Sequence, residues 1–475
     1  MKNDFKNGLF FTAIAQYSTV VVQLVINMVL SRLLTPKEIG MVTIVQVLVF
    51  FFQLLAGSAL VPAIIQNKDL NDEDYGIILN YSILFGFLLA LIFGLGGGFL
   101  LSLLYKNPAY IPLSWSMSLL IIMGATGQVP NGILTKEKRF KEMSLRLLLS
   151  GIVGATFGIV AAFMHAGIYA MVLVFTITDF ISLVLNLRMV KIHYTRSLKW
   201  ASVKKVLPFV KHQTGFSMIN YLYRNLDNLL VGKVLGASAL GNYSKSYQLL
   251  SLPITVFLSV INPVMQPILA EHETDVRLIR ETYLKVCRIL AIIAIPVSVF
   301  FSLNSGPIIY FLFGKQWSLA IVPLGILSLS IWAQMLSQSM PAIWQSRNLT
   351  PIQTFNGIIS LLIIGISIII GVFMGSINTV AITVASGYII NFIVSGSILM
   401  SKALDSNFFQ LFKVLIKPLI LGGVMSVVLI ITNPYLEFSS LFITLLIRGI
   451  LWGILIFFYL IITGEFRKLK EMVKG

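Results

Sequence analysis

The strongest constraint on this chain is a succession of apolar runs, each about 20 residues or longer, separated by short polar connections. A run of that length crosses the ~30 Å hydrocarbon core of a bilayer as a helix, at ~1.5 Å per residue. With 57% hydrophobic and 11% charged residues in 475, there is too little polar side chain to cover a water-soluble fold of this size. The sequence therefore specifies an all-α polytopic membrane protein. Fourteen spans are read, at roughly 9–31, 40–66, 77–104, 112–134, 145–164, 167–190, 214–235, 240–268, 283–305, 319–344, 352–374, 378–400, 413–432 and 440–463.

A net charge of +17 does not point to nucleic acid here, because the basic residues lie in the connections between spans. With the N-terminus in the cytoplasm, the internal connections and both termini hold 27 of the 35 Lys and Arg. They include "TKEKRFKEMSLR" (135–146) and "RMVKIHYTRSLKWASVKKVLPFVKH" (188–212). The opposite side holds Arg32, Lys37, Lys106, Lys233, Lys245 and Lys315, while Arg224 and Arg448 fall within spans. The positive-inside rule then places both termini in the cytoplasm. The start, "MKNDFKNGLFFTAIAQY", reads as an uncleaved first span, since the apolar segment runs to about Leu30 without a small-residue cleavage site. The connections are too short for a soluble catalytic domain. One cysteine, Cys287, excludes an intramolecular disulfide, and His165, His193, His212 and His272 show no metal-ligand spacing. Neither metal nor cofactor is expected.

The chain also resembles itself. Shifted by 201 residues, "NMVLSRLLTPKEIG" (27–40) lies on "NLLVGKVLGASALG" (228–241), so that Asn27 meets Asn228, Arg32 meets Lys233 and Gly40 meets Gly241. Ser58 then meets Ser259 and Pro62 meets Pro263; with a shift of 211, Pro112 meets Pro323 and Pro130 meets Pro341. A repeat of six spans preserves orientation and gives parallel halves, an arrangement in which transporters place the substrate between the halves. The expected organisation is a first lobe at 1–190, a cytoplasmic amphipathic linker at 191–213, a second lobe at 214–401, and two further spans with a cytoplasmic tail at 402–475.

The first and seventh spans are equivalent and unusually polar. Gln16, Thr19, Gln23 and Asn27 share one helical face of the first, and Asn220, Arg224, Asp227 and Asn228 share one of the seventh. An ionised residue in mid-span costs at least ~2.5–3.5 kcal/mol and normally faces protein or a watery cavity. Two readings fit Arg224 and Asp227: a structural clip that neutralises both, or a guanidinium facing a hydrated cavity and oriented by the carboxylate. Arg32 and Lys233 stand near span ends, where snorkelling to headgroups is the plain alternative. Arg448 in the last span fits the same plain reading or a phosphate contact. Asp179, in the sixth span, is either a hydrogen-bonded structural acid or, like Asp227, a candidate for ion coupling. "FGLGGGFL" (93–100) lacks the Gly-Lys-Ser/Thr of a phosphate loop and reads as a close-packing or bending segment. Segments 196–212 and 405–418 alternate basic and apolar residues and suit helices lying along an anionic leaflet.

"NMVLSRLLTPKEIGMVTIVQVLVFFFQLLAGS" and "YRNLDNLLVGKVLGASALGNYSKSYQLLSLP" resemble the paired signatures of bacterial polysaccharide flippases, in the colanic-acid and teichuronic-acid exporter branch. That branch shares a superfamily with lipid II flippases and multidrug and toxin extrusion (MATE) transporters. The resemblance implies a MATE-like fold of two six-helix lobes plus two C-terminal helices in the bacterial cytoplasmic membrane. It implies a flippase, not an enzyme, moving an undecaprenyl-diphosphate-linked oligosaccharide to the outer leaflet by alternating access, with a polymerase and glycosyltransferases as working partners. Arg224, then Arg32 and Lys233, would hold the diphosphate, because cations with planar or multiple donors match phosphate oxygens. Gln23, Asn27, Asn220 and Asn228 would meet sugar or water. Two alternatives stay open: a cation-coupled small-molecule exporter of the same fold, and a membrane-embedded polysaccharide polymerase or ligase.

Overall fold

The computed structural model describes residues 2–57, 59–270 and 273–464; side chains are described there except at 2–16, 212, 216, 219, 220, 222–224, 259–264, 266–268, 270 and 350. Among the described residues the chain is helical with no strand. By packing it divides into two units, Met1–Gly241 and Asn242–Gly475.

The first unit holds α1 (Lys2–Leu33), α2 (Pro36–Gly57), α3 (Leu60–Gln66), α4 (Asp72–Ile92), α5 (Gly98–Tyr105), α6 (Tyr110–Lys136), α7 (Phe140–Phe163), α8 (Tyr169–Met189) and α9 (Trp200–Leu235). Local chemistry sets the helix starts. Asn71 and Asp74 form a reciprocal cap on α4: Asp74 N donates to Asn71 Oδ1 at 2.8 Å and Asn71 N to Asp74 Oδ2 at 3.0 Å. Asp72, Glu73 and Asp74 in that first turn also suit the positive end of the helix dipole. The glycine-rich stretch forms a π-helical turn, Phe93–Gly97, that joins α4 to α5 as one 34-residue span. A Cβ on Gly94, within the turn, would lie 3.0 Å from Trp115 Cε3, so the turn packs closely against α6.

The second unit continues through α10 (Ala237–Ala270), which begins in the first, then α11 (Val276–Leu303), α12 (Ser305–Leu312), α13 (Ile321–Ser328), α14 (Ile331–Ser337), α15 (Met340–Ser346), α16 (Thr350–Phe373), α17 (Ile377–Lys402), α18 (Phe408–Thr432) and α19 (Leu441–Ile462). The tenth span is broken: Lys315–Ser328 and Ile331–Ser346 meet at 53°. Trp332 N, freed by the break, donates to Ser298 Oγ at 3.2 Å. Its repeat partner α6 runs unbroken over Pro130, whereas Pro341 stands at the start of α15. Proline fits a first turn, where no amide hydrogen is needed.

Ten described helices are long and apolar enough to cross a membrane, or eleven with the bent pair as one span. The polar α1, α9 and α10, of 32, 36 and 34 residues, complete the fourteen. Helix starts repeat as the sequence does, with Pro36 and Ala237 offset by 201 and Tyr110 and Ile321 by 211; α18 and α19 have no counterpart. This is a multi-pass membrane protein.

Two expectations change. The linker is not a separate surface helix: 191–199 forms no helix or strand, and the helix from Trp200 runs straight into the seventh span as α9. Its apolar face, with Val206 and Phe209, packs with Leu60, Ile64, Ile133 and Ile192 in a protein core rather than on lipid. Arg448 does not snorkel. It is buried, with Nη1 donating to Asn304 Oδ1 at 3.1 Å and Nη2 to Asn433 O at 2.6 Å, beside the exposed Glu437 at 3.6 Å. It thereby ties α19 to the ends of α11 and α18, next to an apolar cluster of Val299, Leu421, Met425 and Leu429. Arg448→Ala is expected to cost about 2–3 kcal/mol, the scale of lost charged hydrogen bonds. Thermal unfolding in detergent checks it; an unchanged midpoint would show that the tie contributes nothing.

Candidate functional site

Two helical faces of the first unit are polar where a membrane protein needs a reason to be. On α8, Asp179, Ser182, Leu183 and Asn186 recur at the spacing of one face; on α6, Gly124, Gly127, Gln128 and Asn131 do the same. With Gln53 of α2, Met123 of α6 and Arg146 of α7, they line a cavity of about 220 Å³. One water needs only ~10–15 Å³ on that measure, so the space is roomy and its walls are hydrogen-bonding.

Arg146 dominates the chemistry. It is 7% exposed, and Nη1 donates to Asn131 Oδ1 at 3.0 Å and to Asn186 Oδ1 at 2.5 Å. Both acceptors are neutral amides, and Nε is buried without a partner among the described residues. Gln53 Nε2 donates to Leu120 O at 2.8 Å and to Asp179 Oδ2 at 3.4 Å. A Cβ on Gly124 would lie 2.9 Å from Gln53 Nε2, so only glycine leaves that amide its place. The cavity thus presents a guanidinium with spare donor capacity, one carboxylate held by an amide, and a ring of neutral polar groups. Such a wall can hold an anion or sugar hydroxyls.

Of the residues expected from sequence whose side chains are described, Asp179 lines this cavity and Gln23, Asn27, Arg32, Asp227, Asn228 and Lys233 do not. Asn220 and Arg224 have side chains outside the described residues. Asp227 is buried, with Oδ1 accepting from Asn228 N at 2.8 Å, and Asn228 Nδ2 donates to Asn225 Oδ1 at 3.5 Å. On α1, Asn27 Nδ2 donates to Gln23 O at 2.7 Å, while Gln23 and Arg32 are exposed. Lys233 is exposed, donates to Leu104 O, and lies 6.0 Å from the Tyr105 ring centre. Within the first unit, helix α9 is fastened to α2 by Tyr221 OH, which donates to Val47 O at 2.9 Å, and to α5 by Tyr105 OH, which donates to Leu229 O at 3.3 Å. Lys245, counted with the external connections, is instead buried in the second unit, 4.9 Å from the Phe313 ring centre. Arg146 was the residue missed, because it closes a basic loop motif; the glycine and amide spacing on α6 and the Asp179–Asn186 face were the available signals.

Fourteen spans in two six-helix repeats, with two further helices and a charged cavity in the first repeat, define a transporter-type membrane fold. The chain superposes on the lipid II flippase MurJ in its inward closed conformation with a TM-score of 0.75, covering 97% of this chain and 99% of that one at 14% identity. An inward-facing multidrug resistance MATE family transporter of the MOP superfamily gives 0.63, covering 81% and 96% at 14% identity. These likenesses are of fold. The family follows from sequence: residues 29–322 match the model of the polysaccharide biosynthesis protein family, and the chain belongs to it. The teichuronic acid biosynthesis protein TuaB of Bacillus subtilis (strain 168) is 22% identical over 424 residues, 89% of this chain and 87% of that protein. The lipopolysaccharide biosynthesis protein WzxC of Escherichia coli (strain K12) is 24% identical over 320 residues, 67% of this chain and 64% of that protein.

Proposed function

We propose that this chain is a flippase, not an enzyme, that carries an undecaprenyl-diphosphate-linked oligosaccharide from the inner to the outer leaflet of the bacterial cytoplasmic membrane. Its two repeats alternate access to the two sides, with both termini in the cytoplasm, and a polymerase and glycosyltransferases work on either side of the step. The observation that carries the reading is the buried, incompletely bonded Arg146 in a polar cavity of a chain from a polysaccharide biosynthesis family. A sugar diphosphate cannot cross hydrocarbon without such groups. Arg matches anionic oxygens with two parallel donors. Arg146 joins Arg224, Arg32 and Lys233 as the cations for the anionic part of the cargo, while Gln23, Asn27, Asn220 and Asn228 meet sugar or water. Asp179 and Asp227 are the acids available for ion coupling.

The test is a deletion strain complemented with wild type or Arg224→Ala. Deletion should leave the lipid-linked repeat unit on the cytoplasmic face and remove surface polysaccharide, and wild type should restore it. Losing a charged hydrogen bond worth ~1.5–3 kcal/mol predicts roughly a tenfold or larger fall with Arg224→Ala, and Lys there should recover part of it. Normal surface polysaccharide without the gene would end the flippase reading. Normal polysaccharide with Arg224→Ala would remove only that residue.

A further inference from the structure

Between α8 and α9 the chain forms a strap along the start of α4. Asn80 Nδ2 donates to Thr195 O at 2.6 Å and Tyr81 OH to Leu198 O at 2.8 Å. A Cβ on Gly76 would lie 2.2 Å from His193 O, so the strap lies directly on that helix. Lys199 pairs with Glu73 at 2.8 Å, and that hydrogen bond holds its ammonium above the ordinary lysine range. Lys205 pairs with Asp74 at 2.7 Å.

These contacts sort the strap's residues into two sides. Residues 188–212 contain seven Lys and Arg and no acid. Ile192, Val206 and Phe209 turn into the core, and Lys199 and Lys205 are used on α4. Lys191, Arg196, Lys204 and Lys211 are exposed, and none forms an ion pair with another of the described residues. Beside them Tyr194, Leu198 and Trp200 are 67%, 51% and 48% exposed, with Trp200 edge-on to Tyr81. The strap also lies beside the ends of helices long and apolar enough to cross a membrane. Three spans end here, at Asp72, Lys136 and Met189, and Lys136 Nζ reaches across to Asn67 O at 2.7 Å.

We propose that residues 191–211 are a docking surface for the headgroups of anionic phospholipids in the adjoining leaflet. Lys191, Arg196, Lys204 and Lys211 meet the phosphates, and Tyr194, Leu198 and Trp200 seat in the interface, where aromatic rings prefer to lie. The strap continues as one helix into the seventh span. Bound headgroups therefore hold the foot of the helix that carries Arg224 and Asp227. This surface stands whether or not the transport reading does.

The full chain is reconstituted in nanodiscs of phosphatidylcholine with phosphatidylglycerol, and tryptophan quenching by brominated forms of each lipid is compared. Trp200→Phe identifies the Trp200 component. Each basic residue near a charged surface shifts lipid preference about fivefold. The variant K191Q/R196Q/K204Q/K211Q should therefore reduce the phosphatidylglycerol preference at Trp200 more than tenfold, with helical content unchanged. In wild type the same preference should fall as salt rises, because surface charge is screened; this measurement needs no variant to fold. Equal quenching by both lipids, a salt-insensitive preference, or a folded quadruple variant that keeps it would each overturn the proposal.

Discussion

Arg146→Gln is expected to reduce surface polysaccharide at least ~100-fold while leaving the protein folded, on the scale of two lost charged hydrogen bonds at ~1.5–3 kcal/mol each. The two effects separate because the residue's contributions to stability nearly cancel. Taking a guanidinium out of water costs several kcal/mol when no carboxylate meets it, and here its acceptors are the neutral oxygens of Asn131 and Asn186. Removing the charge relieves that cost, and the glutamine amide can still donate to one of the two. The other faces a cavity large enough for water. The unfolding midpoint should therefore move by a few degrees at most, on the scale of ~1 kcal/mol. Arg146→Lys keeps the charge but cannot bond both amides and an anion in one plane, so its export should be intermediate. The measurements are surface polysaccharide in the complemented deletion strain and thermal unfolding of purified protein. Normal export from R146Q would take Arg146 out of transport. A collapse of the midpoint would make it a structural residue.

The spans were legible because a bilayer demands about 20 apolar residues in a row, and the repeat was legible because Gly40 and Gly241 stand at one offset with their neighbours. The site was less so, for a physical reason. Arg146 ends a run of loop cations, and nothing local distinguishes it from Lys141. What places it in the cavity is Asn131 and Asn186, which come from two other helices. Periodicity likewise found the apolar face of 196–212 but not what covers it, since lipid and protein satisfy the same stripe. Ile64 and Ile133 cover it. The break in the tenth span was invisible because Leu329 and Ser330, where the two arms meet, include neither proline nor glycine, and the aligned Pro341 lies beyond the break.

Gly40→Ala and Gly241→Ala should each destabilise the protein by about 2–3 kcal/mol, and the double variant by clearly less than the sum. A Cβ on Gly40 would lie 1.8 Å from Ala237 O, and one on Gly241 would lie 1.9 Å from Pro36 O. Both obstacles are backbone carbonyls in the first turns of α2 and α10, which cannot rotate aside as a side chain can. Alanine ordinarily favours a helix over glycine by ~1 kcal/mol, so a net loss means the clash outweighs that gain. Pro36 and Ala237 are themselves repeat partners, as are Gly40 and Gly241. The two contacts are therefore one symmetric crossing, in which each glycine admits the first residue of the other helix. Once one alanine has pushed the helices apart, the second enters space already opened, which is why the effects should not add. Gly365→Ala, with nothing within 4 Å of its Cβ position, is the control and should be neutral or slightly stabilising. Thermal unfolding of the four variants decides the matter. Additive losses would mean two independent contacts, and harmless alanines would mean the helices do not cross this closely; either result would remove the crossing as the physical reason for glycine at both repeat positions.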